Sequence, residues 1–132
     1  MTGFTDNGDG TVTDNLTGLI WLKDAGCLGF VDWATALTKA NGLKDGTCGL
    51  SDGSATGDWR LLNINELRSL FDPGLSAPHL PAGHPFTDIQ FSYYWSSTSY
   101  APALGGAWVV GLNNSHAGFN GKLYAEYAWA VR

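Results

Sequence analysis

The chain opens on two turn dipeptides in succession, Asn7-Gly8 and Asp9-Gly10, set between Phe4-Thr5-Asp6 and Thr11-Val12-Thr13-Asp14. Both dipeptides tolerate the positive φ that tight hairpins demand, and the β-branched residues that follow favour an extended strand. A further turn, Asn15-Leu16-Thr17-Gly18, leads into Leu19-Ile20-Trp21-Leu22. The chain therefore begins as a short β-meander.

Helical periodicity appears only in the middle. Asp32 is placed to cap a helix whose apolar residues Trp33, Ala36, Leu37 and Ala40 fall at i, i+3, i+4 and i+7, and Asn41-Gly42 supplies a stop. Gly42 to Asp58 is a loop dense in Gly, Asp, Ser and Thr. A loop of more than about 12 residues inside a compact domain is usually functional, stapled or disordered. Asn63 followed by Glu66 forms a variant capping box; Ile64, Leu67 and Phe71 then share a face, and Pro73-Gly74 ends the second helix. Residues 75–87 carry Pro78, Pro81 and Pro85 with His79 and His84 and show no periodicity, so they read as irregular surface chain.

The last third returns to β-type composition over 91–96, 107–112 and 124–131. In the middle segment Trp108, Val110 and Leu112 alternate with Val109, Gly111 and Asn113. The order of meander, helix, loop, helix, irregular segment and second meander is an α+β layout, and 132 residues are the size of one domain, 1–132.

Charge excludes several functions. Only 14% of residues are charged and the formal charge is −5, against roughly 25% charged residues in an average soluble domain. The seven Lys and Arg form no cluster, which argues against nucleic acid as a partner. No apolar run approaches the roughly 20 residues of a spanning helix, so no membrane insertion is expected. The N-terminus has no basic stretch followed by an apolar one, so an export signal is not expected within the chain. Surface polarity drawn from Thr, Ser, Asn and Gly favours an extracellular or cell-surface location.

Cys27 and Cys48 lie twenty-one positions apart and match no zinc spacing. Two readings remain, a disulfide closing the first helix and its loop, or a pair of buried thiols; the disulfide agrees with export. Asp6, Asn7, Asp9 and Gly10 resemble the first half of a calcium loop, but the twelve-residue count puts Leu16 where a bidentate Glu is required. Turn chemistry accounts for these residues, and neither a metal nor a cofactor is expected. No nucleophile stands in a recognisable elbow, no Gly-rich phosphate loop is present, and His79, His84 and His116 sit in loops, so the chain is not expected to be an enzyme. Arg60 is expected to pair with a carboxylate or the backbone.

Aromatic residues are the remaining chemical resource. Trp21, Trp33, Trp59, Trp95, Trp108 and Trp129 begin or lie within expected regular elements and read mostly as core. Tyr93, Tyr94, Tyr100, Phe119, Tyr124 and Tyr127 stand among Asn, Ser and Gly, the composition of recognition loops.

Four ordered motifs carry a family resemblance. They are residues 6–21 (Asp6-Asn7-Gly8-Asp9-Gly10 through Ile20-Trp21); Asp58-Trp59-Arg60-Leu61 with Asn65-Glu66-Leu67; Tyr94-Trp95-Ser96-Ser97-Thr98; and Ala128-Trp129-Ala130-Val131-Arg132. Together they resemble the DUF1566 family, which includes the C-terminal domain of a Legionella collagen-like adhesin. Leu62 departs from the pattern, which usually has Pro there. The resemblance implies a C-type-lectin-like fold with two helices and a mainly antiparallel sheet. Trp59 to Leu67 would begin the second helix, and Trp108 to Arg132 would form the closing sheet. Related formylglycine-generating enzymes act through late cysteines, and no Cys follows Cys48.

The resemblance implies a ligand-binding or display domain with its recognition face in 99–126, built from Tyr100, Ala103, Leu104, Val109, Asn113, Asn114, His116, Phe119, Asn120, Leu123 and Tyr124 on turns or on the strand face opposite Trp108 and Val110. In a variable protein of a diversity-generating retroelement these would be the diversified positions, although Glu126 does not fit the randomised codon set. A glycan-binding adhesin is the alternative; the charge of −5, with only Lys122 between Arg68 and Arg132, argues against sulfated ligands and leaves neutral sugars stacking on Tyr100 or Tyr124. A third reading is a structural cap that forms a homo-oligomer. The ligand, protein or glycan, is not legible.

Overall fold

A computed structural model describes residues 4–15, 17–68, 85–90, 92–100, 105–111 and 117–132. The strands are β1 (Phe4–Asp6), β2 (Thr11–Asp14), β3 (Ile20–Leu22), β4 (Phe30–Val31), β5 (Arg60–Leu61), β6 (Tyr93–Ser99), β7 (Gly106–Gly111), β8 (Ala117–Gly121), β9 (Glu126–Tyr127) and β10 (Ala130–Val131); the helices are α1 (Trp33–Asn41) and α2 (Ile64–Arg68). They form an α+β structure with two five-stranded sheets, β1-β2-β3-β10-β5 and β4-β9-β6-β7-β8. Every pairing of these strands is antiparallel except β6 with β9.

The opening turns do what their residues favour. The Asn7 N–H donates to the Thr11 carbonyl at 3.1 Å, closing the hairpin that sets Thr5 opposite Thr13. Trp21 of β3 then lies opposite Val12 on one side and Val131 on the other, so the closing strand completes the opening sheet. The terminal strands thus divide between two sheets. Short pairings escape sequence reading: Phe30 opposite Tyr127, and Leu61 opposite Ala130. Residues 60–61, which the resemblance would place at the start of the second helix, are strand, and the helix begins at Ile64, directly after the Asn63 cap that the capping box predicts. The segment expected as one strand over 124–131 is a turn followed by β9 and β10. β8 falls where composition suggested a turn, inside the span 108–132 that the resemblance assigns to a closing sheet.

α1 follows its capping signals. Asp32 accepts a hydrogen bond from the Thr35 N–H at 2.9 Å, and Gly42 ends the helix at φ −86°, a right-handed rather than left-handed stop. At α2 the capping box closes in both directions: Asn63 Oδ1 accepts from the Glu66 N–H at 2.8 Å, and Glu66 Oε1 accepts from the Asn63 N–H at 2.9 Å. The Arg60 guanidinium grips the same carboxylate at 2.6 and 2.5 Å. Phe71 and Pro73-Gly74, expected to end this helix, lie outside the described residues.

Burial works to raise the Glu66 carboxyl; the Arg60 hydrogen bond, the Asn63 N–H and the Arg60 charge outweigh it and leave Glu66 below the ordinary carboxylate range. The stability this contributes is present above the unfolded-state value and is lost as pH falls through the lowered one. Glu66→Ala is expected to cost about 1 kcal/mol at neutral pH, a capping loss plus an ion pair whose Arg60 side is half exposed to solvent. Urea denaturation at pH 7 and pH 3 checks this, with the difference between variant and wild type shrinking at the lower pH.

One hydrophobic cluster draws on both sheets and α1, with Trp21, Trp59, Trp95 and Trp129 fully buried. Trp33 and Trp108 are half-buried. The Trp129 ring meets those of Phe86, Trp21 and Tyr94 at 4.8, 5.3 and 5.7 Å, and its Nε1–H donates to the Leu22 carbonyl at 2.7 Å. Because Trp21 belongs to one sheet and Tyr94 to the other, this tryptophan joins the two layers.

The long loop is stapled. Cys27 and Cys48 form a disulfide with Cα atoms 5.8 Å apart, so the buried-thiol alternative does not hold. Beside it the Ser51 N–H donates to the Asp9 carbonyl at 2.8 Å, drawing the loop against the opening turn. Gly10 is needed there on two counts: its φ is +86°, and a Cβ would lie 2.5 Å from the Gly49 carbonyl oxygen. The turn carboxylates are engaged locally, Asp6 with the Gly8 N–H and Lys23, Asp9 with the Thr11 N–H.

Candidate functional site

The surface singled out by composition centres on β8, the edge strand of the second sheet. Its pairing with β7 is regular from Gly106 opposite Gly121 to Val110 opposite Ala117. Opposed residues share a face, and so do alternate residues along a strand. Phe119 therefore lies beside its partner Trp108 and on the side that Gly121 faces. Tyr100 closes the group: its ring stacks on Phe119 with centroids 4.2 Å apart and meets Trp108 edge-on at 5.0 Å. Tyr124 lies over Gly121, where a Cβ would come within 2.9 Å of its ring. The result is a row of aromatic rings along the edge strand, with Phe119 55% and Tyr124 68% exposed. Leu123 at the neighbouring turn is 94% exposed.

The turn that presents Tyr124 is fixed from behind. The Trp33 N–H donates to the Lys122 carbonyl at 3.1 Å, the Lys122 ammonium lies 4.1 Å from the centroid of the Trp33 ring, and its Nζ donates to Ser99 Oγ at 2.9 Å. Exposed rings on a held backbone offer contact area at little entropic cost.

A cavity of about 460 Å³ adjoins this row, lined by Tyr93, Val109, Gly118, Phe119, Asn120 and Glu126. Val109, expected on a projecting face, is only 3% exposed. It contributes by lining the cavity. Ala103, Leu104, Asn113, Asn114 and His116 lie outside the described residues. Thus Tyr100, Phe119, Leu123 and Tyr124 supply surface, while Val109 and Asn120 belong with the cavity.

Sequence reasoning missed Glu126 as a site residue, and it named Tyr93 among the aromatics of recognition-loop composition without placing it in the recognition face. The signal available for Glu126 was a lone acid within the otherwise uncharged run 124–131. Its side chain is drawn inward by the pairing of β9 between β4 and β6, and only 9% of the residue is exposed. Asn120 Nδ2 donates to Glu126 Oε2 at 2.9 Å, and Asn120 Oδ1 accepts from the Gly121 N–H at 2.9 Å, which orients the amide. Burial raises the Glu126 carboxyl above its ordinary value, and the Asn120 bond offsets this only in part.

A raised carboxyl costs stability when ionised and recovers it as pH falls through the raised value. Glu126→Gln, which keeps an acceptor for Asn120, is therefore expected to melt higher than wild type at pH 7. The gap should close as pH approaches the ordinary carboxyl value of 4.5. Calorimetry across that range checks it; an unchanged or lowered melting temperature at pH 7 would contradict it.

Among the described residues no three His, Cys, Asp or Glu side chains are grouped to hold a metal ion, and no helix is long and apolar enough to cross a membrane. No curated protein matches this sequence. The family model for the Lcl C-terminal domain matches residues 10–132, a span that takes in the disulfide, both helices, and the β8 surface with its cavity. The chain belongs to the Lcl C-terminal domain family.

Proposed function

We propose that the chain is a non-enzymatic ligand-binding domain of a secreted or cell-surface protein, with a C-type-lectin-like fold, and that the aromatic row along β8 and the adjoining cavity form its recognition face. The observation that carries this reading is the concentration of Tyr100, Trp108, Phe119 and Tyr124 along one sheet edge, with two of the rings more than half exposed. Exposed aromatic surface beside small polar residues is how binding faces are made. The disulfide supports export, since such bonds persist in oxidising compartments. The non-enzymatic reading is supported by the carboxylates of the helices, which serve capping: Asp32 holds the start of α1, and Glu66 that of α2.

The same exposed rings favour a second reading, a glycan-binding adhesin. Aromatic faces stack on neutral sugars, and the charge of −5 argues against sulfated ones. A glycan array run beside a surface-protein interaction screen separates the two, since the first reading expects protein hits and the second expects neutral glycans. Sedimentation of the isolated domain, with no hit in either screen, would favour a cap that only oligomerises. Retroelement diversification is tested in the gene itself, where a template repeat must carry Asn codons at the recognition positions.

A further inference from the structure

Among the described residues no cation pairs with the carboxylate of Glu126, which is only 9% exposed. Among the described residues the ion pairs are Lys23 with Asp6, Arg60 with Glu66 and Arg132 with Asp52. The cation nearest in sequence, Lys122, is committed to Ser99 and the face of Trp33. Asn120 supplies one hydrogen bond to Oε2, and no described residue donates to Oε1. A carboxylate accepts about four hydrogen bonds, and enclosing it without a cation is costly. The group therefore stands ready for a donor from outside.

The walls specify what kind of donor. Tyr93, Val109, Gly118 and Asn120 line the same cavity as Glu126, with Phe119 of the edge strand at its margin, a lining of mixed apolar and polar groups. A volume of about 460 Å³ falls within the range of roughly 300–1,000 Å³ typical of ligand sites. An acidic group beside an aromatic ring suits a planar, weakly hydrated cation, which can stack on the ring and donate to the carboxylate together. The overall charge of −5 attracts the same class of ligand.

We infer that this cavity takes the guanidinium of an arginine side chain carried by a protein partner, with Glu126 as its counter-ion and Tyr93 as its aromatic wall. The inference rests on the recognition face proposed above and gives it a chemical preference. It also accounts for an acid placed at 9% exposure with a single described hydrogen bond, since a group arranged for a ligand need not be favourable without it.

The test is an amide-detected NMR titration of the intact chain at pH 7 with Nα-acetyl-arginine amide and with its neutral isostere, Nα-acetyl-citrulline amide. The arginine probe is expected to shift Tyr93, Gly118, Asn120 and Glu126 saturably, and the citrulline probe to bind at least about tenfold more weakly, the scale of a charge-assisted hydrogen bond. Glu126→Gln, which retains the Asn120 contact, should bind the two probes alike. Equal binding of both probes by wild type overturns the guanidinium assignment while leaving a ligand site in place, as does an undiminished arginine preference in Glu126→Gln. No saturable shift at these residues overturns it as well, and the array and interaction screens then judge the recognition face separately. The comparison of probes on wild type stands even if the variant does not fold.

Discussion

Replacing Cys27 and Cys48 together by serine is expected to lower stability by about 3 kcal/mol, the loop-entropy value for a ring of this size. The bond spans 21 positions and closes α1 together with the first part of the loop after it. That loop does more than connect. Leu50 is buried in the core, Ser54 Oγ accepts from the Trp59 indole at 3.1 Å, and Asp52 receives the Arg132 guanidinium at 3.1 Å. Releasing the staple thus loosens the cover over Trp59 and, through the Ser51 to Asp9 hydrogen bond, the opening hairpin. For a domain of this length the loss corresponds to a fall in Tm on the order of 10 °C. Thermal unfolding with and without reductant measures it, and wild type should fall to the variant's value once reduced. A double variant that melts within a degree or two of wild type would show the staple to be dispensable.

Trp129→Ala is the second substitution with a large expected effect, about 3–5 kcal/mol. The indole is fully buried between Trp21, Phe86 and Tyr94, and its N–H satisfies the Leu22 carbonyl. Truncation leaves a void where three rings converge and orphans a buried acceptor, two costs that add. Against a total stability of about 5–15 kcal/mol for a domain, such a loss brings the chain close to unfolding. Trp129→Phe should recover much of the packing and none of the hydrogen bond, and so fall between the two. Denaturant midpoints of the three proteins check the order; equal midpoints for the Ala and Phe variants would contradict the packing account.

Local signals were legible in the sequence, and long-range pairings were not. Asp32 and the Asn63–Glu66 box act within three residues of themselves, so their spacing alone predicts what they do. The opening hairpin is equally local, because the conformation lies in its Asn-Gly and Asp-Gly turns. By contrast β4 and β5 have two residues each, too few for any period, and exist only because Tyr127 and Ala130 arrive from the far end of the chain to pair with them. The division into two sheets has the same origin: β9 and β10 are separated by two residues, yet each joins a different sheet.

The site follows the same rule. Tyr100, Phe119 and Tyr124 stood out by residue type against a Gly- and Asn-rich background. Val109 was misjudged because strand alternation implied one solvated face, whereas both Val109 and Val110 are buried. Glu126 was passed over because nothing in its own neighbourhood announces that β9 carries it beside Asn120 of β8.

The central claim is that ligand recognition lies on the β8 edge rather than elsewhere on this sheet. Phe30 provides the control, since it is 57% exposed on β4, the opposite edge, against 55% for Phe119. The most direct measurement is the affinity of any glycan or protein selected on wild type for two further proteins, Phe119→Ala/Tyr124→Ala and Phe30→Ala, each first shown to melt like wild type. The account predicts that the double variant binds at least about tenfold more weakly, the loss typical of truncating aromatic anchors, while Phe30→Ala binds as wild type does. Retained binding by the double variant, with loss in Phe30→Ala, would contradict it.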